Sequence, residues 1–328
     1  MKLHENRKLF QEAIQAASQQ LKIAEIYIEK DYWVTAALFK IFTSDAGKFA
    51  IFKGGTALSK CHKLIERFSE DVDIVVVKEI GEAGNSLKNK LRAITASVTE
   101  IMPEVQMDGI TNKLGMIRKT AHQYERIDLI GDYGEVGEIV IIEATWLGTF
   151  EPHIKSNVSS YITDMMIAAS QDELISEYNM QPIAVMVLSK ERTFCEKIMS
   201  LVRFSLTGEP YVDLANKIRH IYDLHLMLKN AEIKTFFEST DFDKMLNQVG
   251  ADDVISFKNN NTWLKTHPAE TLIFKAPEET WEKIRQPYQT TFKNLVIGVL
   301  PDEPDLVATL KVIAKRMKKI KWEITTVL

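Results

Sequence analysis

Two aspartates stand at a spacing that suits metal binding. Asp71 and Asp73 open the β-branched run DVDIVVVK, which predicts a strand over residues 71–78. Because residues i and i+2 of a strand lie on the same face, both carboxylates point the same way. Such a pair repels unless a cation lies between its members, and Mg²⁺ prefers these oxygen ligands. The pattern predicts a magnesium-binding pair, although an exposed strand end with two solvated aspartates fits it too.

Glu143 is the third candidate ligand. It lies in the apolar run EIVIIEATW, where Ile141 and Ile142 indicate a buried sheet. An unpaired carboxylate is costly there, and a shared metal would explain its presence. A glutamate that pairs with an arginine, or that faces solvent on the polar side of the sheet, is the alternative. We predict Asp71, Asp73 and Glu143 as catalytic metal ligands.

A glycine turn precedes the aspartate pair. Residues 49–53 predict a short apolar strand and residues 57–66 a helix, with Gly54, Gly55 and Thr56 between them. Glycines let the backbone approach a ligand closely, and main-chain amides hold phosphate oxygens. The turn is therefore a candidate phosphate site, although ordinary tight turns use the same residues.

The surrounding patterns predict an α+β fold. Residues 1–45 indicate a helical pair, residues 85–101 a helix, and residues 105–110, 122–130 and 138–145 further strands of a small mixed sheet. Beyond residue 150 a loop-like stretch precedes helical patterns at 185–203, 211–229 and 305–322. We predict a domain over residues 1–150 with the sheet, and a mainly helical domain over residues 151–328.

Bulk properties narrow the class of protein. The chain has 328 residues and a formal net charge of -4, so any polyanion site must be a local patch. Cys61 and Cys195 are too few and too isolated for a disulfide framework or a zinc site, and are predicted to be packed or bystander thiols. The sequence shows neither a signal peptide nor an apolar run that would span a membrane, so we expect a cytoplasmic protein without a membrane partner.

Several segments together resemble one family. FKGGTALSK, RFSEDVDI, TFCEKIMSLVRFS and RHIYDLHLML follow EKDYWVTAAL in the order typical of the AbiEii/AbiGii toxin nucleotidyltransferases, part of the DNA polymerase β-like superfamily. The resemblance extends over about residues 29–229. It implies a nucleotidyltransferase domain with a small mixed β-sheet and flanking helices, followed by a C-terminal helical domain.

The resemblance also implies residue roles. Gly54, Gly55 and Thr56 fall on the nucleotide's phosphate-contacting turn, where Gly-Gly-Thr replaces the Gly-Ser of the wider superfamily and leaves Thr56 a hydroxyl for a phosphate oxygen. Asp71 and Asp73 fall on the metal-binding pair.

Two further positions match later motifs. Lys197 falls on a motif lysine, implied to be catalytic and nucleotide-binding by neutralising the leaving group, and Asp223 falls on a final acidic motif and is likewise implied to be catalytic. From the pattern alone, a helical lysine usually faces water, and Arg219 and Asp223 have the i, i+4 spacing of a surface pair.

The implied reaction is NMP transfer from an NTP with release of pyrophosphate, at a site holding two Mg²⁺ ions, with Mn²⁺ as the alternative. The implied acceptor is RNA, with the tRNA 3′ end as the candidate, and the implied partner is a separately encoded antitoxin. The alternatives are a small-molecule or protein acceptor, and a catalytically silent binding module. A basic amphipathic segment at residues 306–320 would contact RNA or simply dock as a surface helix.

Overall fold

The computed structural model describes residues 1–69, 71–129, 137–257 and 260–325. Residue 130, at the end of the strand predicted over 122–130, lies outside these ranges, as does residue 259, the start of a loop that the polar run NNNTW predicts over 259–268. Contacts divide the chain into two compact units. Unit 1 comprises residues 1–61 and 68–188, and unit 2 comprises residues 62–67 and 189–328.

Unit 1 is built on a mixed sheet that has seven strands within the described residues. The strands are β1 (Ala50–Lys53), β2 (Asp71–Val76), β3 (Glu104–Val105), β4 (Ile117–Gln123), β5 (Ile139–Thr145), β6 (His153–Val158) and β7 (Ile183–Leu188). Their order is β3-β4-β5-β2-β1-β7-β6. The β2–β5 and β1–β7 pairs are parallel and the other pairs are antiparallel.

Helices of unit 1 pack against this sheet. The α-helices of this unit are α1 (Arg7–Leu21), α2 (Glu25–Thr43), α3 (Gly54–Lys60), α4 (Gly84–Thr99), α5 (Tyr161–Ala168) and α6 (Asp172–Glu177). Burial alternates over the first four residues of β2, where Val72 and Ile74 are fully buried and Asp71 and Asp73 are half-buried. Arg118 of β4 shares the face of Ile74 and donates a hydrogen bond to Thr95 of α4. Helices therefore cover this face of the sheet, and the aspartates lie on the opposite one.

Unit 2 is helical. Its α-helices are α7 (Lys190–Phe204), α8 (Pro210–Ala215), α9 (Ile218–Lys229), α10 (Ala231–Glu238), α11 (Thr240–Ser256), α12 (Leu272–Lys275), α13 (Pro277–Ile284), α14 (Gln286–Gln289) and α15 (Glu303–Met317). Cys195 is fully buried on α7, and burial raises the pKa of its thiol, as a packed cysteine requires. Within the described residues, no helix is both long and apolar enough to cross a membrane.

The α+β fold is confirmed, but several predicted elements were wrong. Residues 183–188 form strand β7 rather than the start of a helix, and β6 replaces part of a predicted loop. The helix expected over 57–66 begins at Gly54 and ends at Lys60. The predicted helix over 211–229 is two helices, α8 and α9. Because β6 and β7 complete the sheet, the contacts group residues 151–188 with unit 1, whereas the boundary near residue 150 was read from composition.

Candidate active site

Four charged side chains form a row across the sheet face that carries the aspartates. In the strand register, Asp73 of β2 lies opposite Lys53 of β1 on one side and opposite Glu143 of β5 on the other. Glu143 in turn pairs with Lys119 of β4. Directly opposed residues of neighbouring strands share a face, so the row reads positive, negative, negative, positive. Asp71 lies on the same face, two residues before Asp73.

Glu143 does not lie in the fully buried environment predicted for it. Its side chain is 36% exposed, and its Oε2 atom lies 3.4 Å from Nζ of Lys119, whose side chain is 33% exposed. The flanking residues Val140, Ile142 and Ala144 supply the burial that the sequence indicated, but they lie on the helix-covered face. Alternation along the strand therefore separates the carboxylate from the core, and a basic partner compensates its charge.

The glycine turn begins against the Asp73 carboxylate. Gly54 follows β1 directly and adopts a φ of +79°, in the left-handed region that favours glycine. A Cβ atom built at Gly54 would overlap Oδ2 of Asp73. The first glycine is thus required both by the backbone and by the close approach of a predicted metal ligand.

Thr56 ties the turn to the aspartate strand. Its side chain is buried, and its Oγ1 donates a hydrogen bond to the Asp71 carbonyl oxygen at 2.5 Å. Oγ1 also lies 3.0 Å from Oγ of Ser69. Because a carbonyl oxygen can only accept, the single hydroxyl proton of Thr56 is used inside the protein. The hydroxyl predicted to contact phosphate instead fixes the position of the turn beside Asp71.

The far end of α3 is held by a buried ion pair. Nζ of Lys60 lies 2.5 Å from Oδ1 of Asp31 on α2, and the two side chains are 9% and 5% exposed. Lys60 also donates to the Ser159 carbonyl, and Asp31 accepts the backbone N–H of Tyr161 at 2.8 Å. Both ends of α3 are therefore fixed, by Thr56 at one end and Lys60 at the other.

The structure brings Lys197 and Asp223 together in unit 2. Nζ of Lys197 lies 2.6 Å from Oδ2 of Asp223. Arg67 binds the same carboxylate through both oxygens, with Nε 2.7 Å from Oδ1 and Nη2 2.8 Å from Oδ2. All three side chains are buried. The i, i+4 pairing predicted as the alternative between Arg219 and Asp223 does not hold the carboxylate, since Arg67 and Lys197 occupy both its oxygens.

Charge within this buried cluster is balanced by the two cations. Burial alone would raise the pKa of Asp223, but Arg67 and Lys197 hold it below the usual value. Burial lowers the pKa of Lys197, and Asp223 counteracts that shift. The sequence patterns did not identify Arg67 as a member of this cluster, because its partner Asp223 is 156 residues away. Its only local signal is that it stands four residues before Asp71.

The two aspartates of β2 fit a divalent cation bound through two carboxylates. Asp71 and Asp73 are half-buried, share a face and offer hard oxygen donors, and Mg²⁺ commonly takes one or two carboxylates together with substrate phosphates. Within the described residues, no group of three or more acidic, histidine or cysteine side chains is already gathered for a metal. The third predicted ligand, Glu143, is paired with Lys119 instead.

Comparison with known proteins decides the family. The family model described as nucleotidyl transferase AbiEii toxin, type IV TA system, matches residues 36–312, well over half of the chain. This chain belongs to the AbiEii nucleotidyltransferase toxin family. It is thus a nucleotidyltransferase and the toxin type of a type IV toxin–antitoxin system, as the resemblance implied.

One solved structure shares its fold with most of this chain. MenT4, a nucleotidyltransferase toxin from Mycobacterium tuberculosis H37Rv, matches with a TM-score of 0.50 and 14% sequence identity. The match covers 94% of this chain and 90% of MenT4. No protein with curated function matches the chain. The AbiEii assignment therefore rests on the family match, and the structural match shows a shared fold.

Proposed function

We propose that this toxin transfers NMP from an NTP to RNA in a magnesium-dependent reaction, with the tRNA 3′ end as acceptor. The observation that carries the proposal is the register of Asp73 with Glu143, beside a glycine turn that closes on the Asp73 carboxylate. Phosphates held by that turn would lie next to the two aspartates. Such a juxtaposition suits transfer at a phosphorus atom.

Each predicted residue has a proposed task. Asp71 and Asp73 hold the cation, and Glu143 joins them during the reaction. When bound, divalent ions lower the pKa of an attacking hydroxyl and neutralise the departing pyrophosphate. The amides of Gly54, Gly55 and Thr56 hold the phosphates, while the Thr56 hydroxyl keeps the turn in place. Mn²⁺ is the proposed alternative ion.

For Lys197 and Asp223 of unit 2 we propose the catalytic roles that the family resemblance implies. The Lys197 ammonium has three donors, and Asp223 accepts one of them. We propose that a second donor meets the leaving pyrophosphate, with Asp223 and Arg67 orienting the lysine.

An RNA acceptor is supported by the family and by one surface of unit 2. Helix α15 buries an apolar stripe that includes Leu306, Leu310 and Ile313, as its pattern predicts. Lys315, Lys318 and Lys319 are exposed near its C-terminal end, whereas Lys311 pairs with Glu278. On a chain of net charge -4, this local patch is where a polyanion would be attracted.

Labelled NTP, Mg²⁺ and total bacterial tRNA test the proposal on a denaturing gel. The Asp71→Ala, Asp73→Ala double variant should lose transfer by about a thousandfold or more, because charge stabilisation provides most of such catalysis. The Asp172→Ala, Glu173→Ala variant removes an exposed acidic pair on α6 and should react like the unmodified protein.

The other outcomes separate the alternatives. Absence of tRNA labelling with NTP binding intact would overturn the RNA acceptor and favour a small molecule or protein side chain. Absence of magnesium-dependent NTP binding would identify a silent binding module. Coexpression with a neighbouring gene's product tests for the separately encoded antitoxin. An antitoxin should restore growth to cells that express this toxin.

A further inference from the structure

The ion pair between Lys119 and Glu143 lies directly beside the candidate metal pair. Glu143 is opposed to Asp73 on one side and to Lys119 on the other, so its side chain has two neighbours of opposite charge on the same face. In the structure, Oε2 of Glu143 lies 3.4 Å from Nζ of Lys119. Asp73 and Glu143, held close by strand pairing, would otherwise repel each other.

Exposure makes this pairing easy to exchange. Both side chains are about one-third exposed, and ion pairs in such settings contribute only about 0–1 kcal/mol. A divalent cation held by two aspartates offers Glu143 a more strongly charged partner. The carboxylate is therefore free to leave Lys119 by side-chain rotation, without movement of the sheet.

We propose that Lys119 is a positioning residue that holds Glu143 away from the metal pair until the cation is bound. This inference rests on the proposed metal-dependent function. In the absence of a cation, Lys119 competes for Glu143 and limits the repulsion between Glu143 and Asp73. When Glu143 joins the aspartates, Lys119 loses its partner on β5. The lysine thus lowers cation affinity through Glu143 specifically.

Mn²⁺ binding to the nucleotide-free protein, followed by electron paramagnetic resonance, tests this idea in a double-mutant cycle. Lys119→Met should bind Mn²⁺ about three- to fivefold more tightly than the unmodified protein, the change that corresponds to about 1 kcal/mol of lost competition. In a Glu143→Gln background, the same lysine substitution should change affinity less than twofold. Lys119→Arg should restore the original affinity.

Two controls separate specific competition from general charge effects. Lys155→Met removes an exposed lysine from β6 of the same sheet and should leave Mn²⁺ binding unchanged. If Lys119→Met strengthens binding equally with and without Glu143, the lysine acts only through its charge and the inference is overturned.

The metal pair itself is checked in parallel. Asp71→Asn, Asp73→Asn should abolish specific Mn²⁺ binding. Unchanged binding in that variant would overturn both the proposed metal site and the role of Lys119. If that variant loses Mn²⁺ binding but Lys119→Met changes the affinity equally with and without Glu143, only the proposed role of Lys119 is overturned.

Discussion

Gly54 is needed both for the conformation of the backbone and for the position of the Asp73 side chain in the candidate site. Its φ of +79° strains any residue with a side chain, and a Cβ atom would also collide with Asp73. Gly109 has a similar φ of +75°, but a Cβ atom there would have open space around it. The two glycines therefore separate backbone strain from displacement of the carboxylate.

Gly54→Ala should reduce nucleotidyl transfer at least tenfold, because Asp73 must move to admit the methyl group. Gly109→Ala should cost about 1 kcal/mol of folding free energy from φ alone and keep full activity. Steady-state kinetics and urea unfolding of both variants check this. Equal activity in the two variants would show that the contact with Asp73 is unimportant.

Glu29 gives the fold a dependence on pH. Its side chain is buried on α2 and accepts the backbone N–H of Ile127. Burial raises its pKa to about 7, with the Ile127 hydrogen bond and Arg126 opposing the shift. Since the folded pKa exceeds the unfolded value of 4.5, the stability that Glu29 contributes is complete below about pH 4.5 and is lost as pH rises through 7.

Glu29→Gln should therefore stabilise the protein at pH 8 relative to the unmodified chain, by about 2 kcal/mol more than at pH 5. Glutamine keeps an oxygen acceptor for Ile127 and carries no charge. Urea unfolding of both proteins at the two pH values measures the difference. A difference that does not change with pH would mean that Glu29 is ionised in the folded state at pH 5.

At the scale of elements, α3 is held by the ion pair between Lys60 and Asp31. Removing one partner of a buried pair leaves an uncompensated charge, so Lys60→Met should cost about 3 kcal/mol or more. The double variant Asp31→Asn, Lys60→Met should cost less, because asparagine still accepts the Tyr161 N–H. Urea unfolding of Lys60→Met, Asp31→Asn and the double variant tests this, and additive losses would contradict it.

The helices and strands also show which elements the local sequence predicts and which it does not. The β-branched run DVDIVV and the helical periods of α1, α2 and α4 predict their structures because each pattern is complete within its own segment. The run IAVMVL of β7 has no such signature. Short apolar runs suit a buried helix or strand equally, and pairing with β1 decides between them.

In the candidate site, too, local spacing did not predict contacts that depend on pairing between distant segments. Spacing predicted that Asp71 and Asp73 share a face, and the pleat of β2 bears this out. Spacing did not reveal that Lys119 would oppose Glu143, because strand register is set by pairing between β4 and β5. The same holds for Arg67, whose partner lies in a helix far along the sequence.

At the scale of the molecule, unit 2 is discontinuous in sequence. Residues 62–67 belong to it although unit 1 flanks them in the chain. Besides Arg67, the Glu66 carbonyl accepts the backbone N–H groups of Ile297 and Gly298. The C-terminal part of the chain therefore depends on six residues that precede the aspartate strand.

A fragment of residues 189–328 should accordingly fail to unfold cooperatively, since Asp223 and Lys197 would lack Arg67. Arg67→Met in the full chain should destabilise unit 2 by about 3–5 kcal/mol. Near-ultraviolet circular dichroism of Trp263, Trp281 and Trp322, which all lie in unit 2, follows both transitions. A native-like, cooperative transition in the fragment would show that residues 62–67 are dispensable.

The placement of residues 62–67 also has a consequence for synthesis on the ribosome. Arg67 is translated 156 residues before Asp223, which at about 5–20 residues per second corresponds to roughly 8–30 s. For most of that interval the glycine turn and the aspartates exist in the nascent chain before β7, the neighbour of β1, and Lys197 have been translated. A polypeptide released early from a damaged message would carry the aspartate pair without β7 or the Lys197–Asp223 pair, so we expect it to be inactive in nucleotidyl transfer.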